Sequence, residues 1–75
     1  MEGAETNAKV LRRRTGKDQD QVARESGVPV GAISRLENRA GIPRMARLQL
    51  LAVYYGVTIG QLVGEEPLPA VEVAV

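Results

Sequence analysis

The chain has 75 residues, enough for one small domain, and its 44% hydrophobic and 25% charged residues are the balance of a folded protein, not of a disordered tail. Cysteine and histidine are both absent, which excludes a disulfide framework, an imidazole base, a thiolate nucleophile and the nitrogen or sulfur ligands of a metal centre. The formal charge is only +1, yet it is unevenly spread: all ten Lys and Arg fall between Lys9 and Arg47, and residues 6–64 hold ten cations against four acids (Asp18, Asp20, Glu25 and Glu37), a net of +6. A basic body with acidic ends suits a polyanionic partner. The sequence therefore reads as a non-enzyme without a cofactor. Met1 to Thr6 lack the basic-then-apolar pattern of a secretory signal, and the longest apolar run, Leu50 to Val57, is far short of the ~20 residues that span a bilayer. A cytoplasmic protein with no membrane partner is expected.

Residues 1–5 read as a flexible N-terminus. Thr6 or Asn7 caps a first helix carrying Lys9, Val10, Leu11 and Arg12 to Arg14, stopped at Gly16. Asp18 caps a second helix, Gln21 three residues later completes a capping box, and the helix runs to about Ser26. Gly27 turns the chain. Val28 and Pro29 lead into a third helix, roughly Val30 to Asn38, with Ile33 and Leu36 on one face. A connection from Arg39 to Pro43 contains Gly41. The fourth helix, about Arg44 to Tyr55, sets Met45, Leu48, Leu51, Ala52 and Tyr55 on one stripe and ends at Gly56. Thr58 caps a short fifth helix, Ile59 to Val63, stopped by Gly64. No stretch before Pro67 alternates at period two, so residues 6–64 read as a compact all-α domain of five helices. Residues 65–75 form a tail with two prolines and the β-prone run Ala70 to Val75, which is frayed, tucked against the body or paired with a second copy.

The spacing from Gln19 to Asn38 is specific. Two helices meeting at a tight turn need a small residue inside the first, here Ala23, and a glycine at the corner, here Gly27. Apolar residues must anchor both to the core, and Val22, Val28, Ile33 and Leu36 do so. These are the requirements of a helix-turn-helix, whose second helix projects into a DNA major groove. The run Gln19-Asp20-Gln21-Val22-Ala23, then Gly27-Val28, then Ile33-Ser34-Arg35-Leu36-Glu37-Asn38 resembles the phage repressor and Cro proteins, the XRE family. Leu11 to Gly16 on one side, and Pro43, Leu48, Leu51-Ala52, Gly56-Val57-Thr58 and Leu62 on the other, extend the likeness to about residues 7–63.

That resemblance implies a repressor-like regulator that binds duplex DNA sequence-specifically, with residues 30–38 as its recognition helix. Gln19 stands where the family contacts a phosphate and braces that helix. Val30 and Gly31, with Ala32 beside them, stand where base edges are faced, and Ser34 and Arg35 lie one turn on. Asn38 and Arg39 match phosphate-touching positions, while Arg44 and Arg47 fall where the fourth helix flanks the DNA backbone. Glu37 matches a residue that pairs with an Arg of the first helix, so Arg12 or Arg13 is its expected partner. The chain also departs from the family. Ser26 replaces an apolar residue, which implies looser packing, and Pro29 replaces a Ser or Thr cap. Arg39 replaces a frequent Gly, so the third helix is expected to close differently. Val30, Gly31 and Ala32 offer no side-chain hydrogen bonds, leaving Arg35 as the one side chain suited to guanine. Specificity then comes largely from DNA shape, or binding is of low specificity.

A domain this small makes few DNA contacts, and half-sites about one helical turn apart give a dimer twice the interface. A homodimer is therefore expected, through the fifth helix and the tail (Leu62, Val63, Leu68, Val71, Val73 and Val75). The alternative is a protein-interaction module on the same fold, antitoxin- or antirepressor-like, motivated by the apolar Val30-Gly31-Ala32 patch and the hydrophobic tail. Tyr54 and Tyr55 read as core or dimer packing, because single-strand binders interleave aromatic with basic residues.

Overall fold

A computed structural model of the chain describes residues 5–70. Five helices follow one another there: α1 (Asn7–Thr15), α2 (Gln19–Ser26), α3 (Val30–Glu37), α4 (Met45–Tyr55) and α5 (Ile59–Val63). The local signals decide most boundaries. The side-chain oxygens of Thr6, Asp18 and Thr58 accept from the backbone N–H groups of Lys9, Gln21 and Gln61, each holding a donor that the first turn leaves orphaned. The capping box expected at Asp18 is only half made, because the Gln21 amide turns instead to Glu25, 3.1 Å away. The complete box is at α5, where Gln61 Oε1 accepts from the Thr58 N–H at 3.0 Å. Pro29 caps α3 with no side-chain bond, and Arg44 is the cap of α4 and not its first residue.

The end of α3 corrects the sequence reading. The helix stops at Glu37 with Asn38 as its cap, and Arg39 takes the left-handed conformation at φ 57°. Ala40 N–H then bonds Arg35 C=O at 2.8 Å and Arg39 N–H bonds Leu36 C=O at 3.4 Å. This is the Schellman closure that a glycine would make. The helix does not close differently; it closes the same way with a side chain strained at the turn. Among the described residues Arg39 is the one non-glycine with positive φ.

The core takes Ala8 and Leu11 from α1, Val22 from α2, Val28 from the turn, Ala32, Ile33 and Leu36 from α3, Leu48, Leu51 and Ala52 from α4, and Leu62 from α5. Helix α2 packs on α3, α1 on α3 and α5, and α4 on α5 and α2. Ala23 lies partly buried against this cluster at the α2–α3 crossing, where a larger residue would hold the helices apart. Ser26 is half-buried, and its hydroxyl accepts from Val28 N–H at 3.2 Å, so the position expected to pack loosely stiffens the turn. Met45, expected on the inward stripe of α4, is 57% exposed. The inward stripe is narrower than its period implied, with Leu48, Leu51 and Ala52 buried and Tyr55 half-buried.

The tail is tucked against the body as far as it is described. Asn7 Nδ2 donates to the carbonyls of Gln61 (2.8 Å) and Glu66 (3.1 Å), Arg14 Nη1 donates to Pro69 O (3.0 Å), and Leu68 packs on the core. Three residues of the expected dimer surface are among those described. Leu62 is buried, and Val63 and Leu68 lie against the chain's own core; Val71, Val73 and Val75 fall outside the described residues, as do residues 1–4.

Candidate nucleic-acid interface

Glu37, in the last turn of α3, fixes how that helix sits on the domain. It is 3% exposed and is the one buried charged residue of the described set. Arg12 of α1 grips it with two bonds, Nε to Oε2 at 2.7 Å and Nη2 to Oε1 at 3.0 Å. Such a fork is the strong form of an ion pair. Gln19 Nε2 adds a bond to Oε1 at 3.0 Å. Arg12 completes its own set through Nη1 to Lys17 O at 3.1 Å, and the hydrogen bond to Glu37 raises the guanidinium pKa. Three elements thus converge on one carboxylate, and no buried side-chain polar atom among the described residues lacks a partner. The choice between Arg12 and Arg13 is settled: Arg13 pairs with Glu5. Through this bond Gln19, at the start of α2, is tied to the last turn of α3.

Thr6 adds a contact that the sequence reading omits. Its hydroxyl donates to Glu37 C=O at 2.8 Å, tying the start of α1 to the end of α3. A Thr at an N-cap signals the helix it opens, and nothing in its sequence position reveals a second partner 31 residues away.

Where the connection between α1 and α2 meets α2 and α4, charges are also consumed internally. Lys17 Nζ sits 2.6 Å from Glu25 Oε1 and 5.6 Å from the centroid of the Tyr54 ring, while the Tyr54 hydroxyl donates to the same Glu25 oxygen. Lys17, Tyr54 and Gln21 together hold the Glu25 carboxyl at a pKa of about 2. Tyr54 meets Tyr55 edge to face at 5.2 Å, and both pack on the core as expected. Burial pushes the Tyr55 phenol up from its ordinary value.

The outward side of α3 is built differently. Val30, Gly31, Arg35, Asn38 and Arg39 are exposed and Ser34 is half-buried, with Asn38 Nδ2 bonding Ser34 Oγ at 3.3 Å. Ala32 does not belong there. It is 1% exposed, one of the core residues of α3, so it cannot face a base edge. Arg44 and Arg47, at the cap and first turn of α4, are exposed. Among the described residues Arg35, Arg44 and Arg47 lie in no ion pair, nor does Arg24 of α2, a cation the sequence reading passed over. Its sequence position gives no sign of this, since Asp20 lies four residues before it on α2. No group of acidic residues among those described is placed to hold a metal ion. No described helix is long and apolar enough to cross a membrane.

Comparison with known proteins supports the geometry. The model of the helix-turn-helix family matches residues 9–62. The chain is 34% identical over 71 residues to an uncharacterized HTH-type transcriptional regulator of Coxiella burnetii, a match covering 93% of this chain and 33% of that protein. It is 38% identical over 66 residues to the HTH-type transcriptional activator BcrR of Enterococcus faecalis, covering 85% of this chain and 32% of that protein. The chain thus spans about a third of the length of the curated relatives it matches. No solved structure matches it.

Proposed function

The chain belongs to the XRE-like helix-turn-helix family, and on that premise we propose that it binds duplex DNA as a regulator of transcription, with α3 in the major groove. One observation carries the proposal. Around α1 four of the five cations, Lys9, Arg12, Arg13 and Lys17, are matched to carboxylates and the fifth, Arg14, donates to Pro69 O, whereas Arg35, Arg44 and Arg47, on the outer side of α3 and the start of α4, have no carboxylate among the described residues. Phosphates are the partners such a set fits. Val30, Gly31, Ser34 and Arg35 face the bases, and Gln19, Asn38, Arg39, Arg44 and Arg47 hold the backbone. Repression is the activity that occupancy alone supplies, since a domain bound across a promoter blocks it without further parts; the protein acts in the cytoplasm, where that DNA lies.

A homodimer on two half-sites completes the reading. Among the described residues the outer side of α4, where Met45, Leu50 and Val53 are 57%, 47% and 81% exposed, offers a surface to a second copy. Those exposed apolar side chains also favour the second reading, a protein-binding module on the same fold. Selection from a random duplex pool, followed by anisotropy titration of the selected and scrambled duplexes, separates the two. A strong preference for the selected duplex supports a DNA-reading regulator; equal weak binding to both refutes it. Size-exclusion with light scattering of the wild type and Leu50→Lys/Val53→Lys tests the dimer, which the double substitution is expected to split.

A further inference from the structure

The Arg35 side chain lies in a channel made by two missing side chains. A methyl carbon built on Gly31 would stand 3.7 Å from Arg35 Nη1, and one built on Gly41 would stand 3.8 Å from Arg35 Cδ. The stem of Arg35 therefore passes Gly41 of the connection between α3 and α4, and its guanidinium overhangs Gly31, one turn earlier on α3. Long helical side chains lean toward the helix N-terminus and cover the position four residues back. Here that position is empty of side chain, and the first turn of a recognition helix is the part that meets base edges. Val30, the exposed neighbour at that turn, has no hydrogen-bonding group, so the fork of Arg35 supplies the donors there.

We propose that Gly31 is a specificity-determining residue: by carrying no side chain it leaves the first turn of α3 to the Arg35 guanidinium, which reads the O6 and N7 acceptors of a guanine. The inference rests on the DNA-binding reading above and deepens it by naming the base. It also explains a glycine inside an eight-residue helix, where alanine would hold the helix better. At 3.7 Å a single methyl is in ordinary contact, so Gly31→Ala leaves Arg35 in place. A branched chain such as leucine claims the space of the guanidinium.

The test is a double-mutant cycle on a duplex selected by the wild-type protein, with copies in which each guanine in turn is 7-deazaguanine, which lacks the N7 acceptor. Wild type and Gly31→Ala are expected to lose roughly 10- to 100-fold in affinity at one modified guanine. Arg35→Ala, Gly31→Leu and the double variant are expected to be indifferent to the modification, with the double no worse than either single change. Melting by circular dichroism accompanies the titrations, and both Gly31 variants are expected to melt no lower than wild type. If Gly31→Leu keeps the guanine preference, or if the two substitutions act independently, the inference is overturned while DNA reading stands. A wild-type protein that selects no duplex overturns both.

Discussion

Arg12 and Arg35 are both arginines on short helices of one small domain, and they occupy opposite worlds. Arg12 has its guanidinium bonds directed at a buried carboxylate and a backbone carbonyl, while Arg35 is exposed with no carboxylate partner among the described residues. The same division holds for their neighbours. Lys9, Arg13 and Lys17 reach Glu5 or Glu25, whereas Arg44 and Arg47 reach no acid among those described. Charge in the first region builds the scaffold and charge in the second is available to a partner. Stability and binding should therefore come apart under mutation.

The largest effect falls on the scaffold side. Glu37→Ala strands the Arg12 fork and the Gln19 amide, and leaving a largely buried charge unpaired costs about 3 kcal/mol or more. For a domain of this size that is on the order of 15 °C in melting temperature, read by circular dichroism. An unchanged melting curve would break the comparison at its strongest point. Arg39→Gly has the opposite sign: it relieves the left-handed strain at φ 57° and should raise stability by about 1 kcal/mol. If Arg39 also holds a phosphate, the same change weakens DNA binding, so one substitution moves the two properties in opposite directions.

Glu25 gives a smaller, pH-dependent effect. Its folded pKa of about 2 lies below the ordinary 4.5, so its contribution is present above about pH 4.5 and is lost as pH falls toward 2. Glu25→Gln is expected to flatten that part of the acid limb in urea titrations, with a modest change at pH 7 that salt diminishes, because the pair is exposed. The smallest stability changes belong to Arg44→Ala and Arg47→Ala, within about 0.5 kcal/mol of wild type.

Local chemistry made much of this legible in the sequence. The Thr6, Asp18 and Thr58 caps and the glycine stops at Gly16, Gly27, Gly56 and Gly64 depend on neighbours a few residues away, and all are present. The contact between Glu37 and Arg12 was narrowed to two arginines, because adjacent helical residues point about 100° apart and only the placement of α3 selects one. Met45 is exposed because periodicity gives the direction of a buried stripe, not its width, which the neighbouring helices set; Ala32, which the resemblance places beside the base-facing positions, lies instead on the inward side of α3, four residues before Leu36. The closure at Arg39 was hidden because a non-glycine residue does not announce positive φ, and Gln21 because Glu25 competes for its amide.

The most direct test of the division between the two groups of arginines is the salt dependence of duplex binding by wild type, Arg44→Ala/Arg47→Ala and Arg13→Ala, measured by anisotropy over stepped salt. The account predicts a steep wild-type slope of log affinity against log salt, less steep by about two in the double variant and unchanged in Arg13→Ala. A flat wild-type slope, or an Arg13→Ala slope reduced as much as that of the double variant, would contradict it.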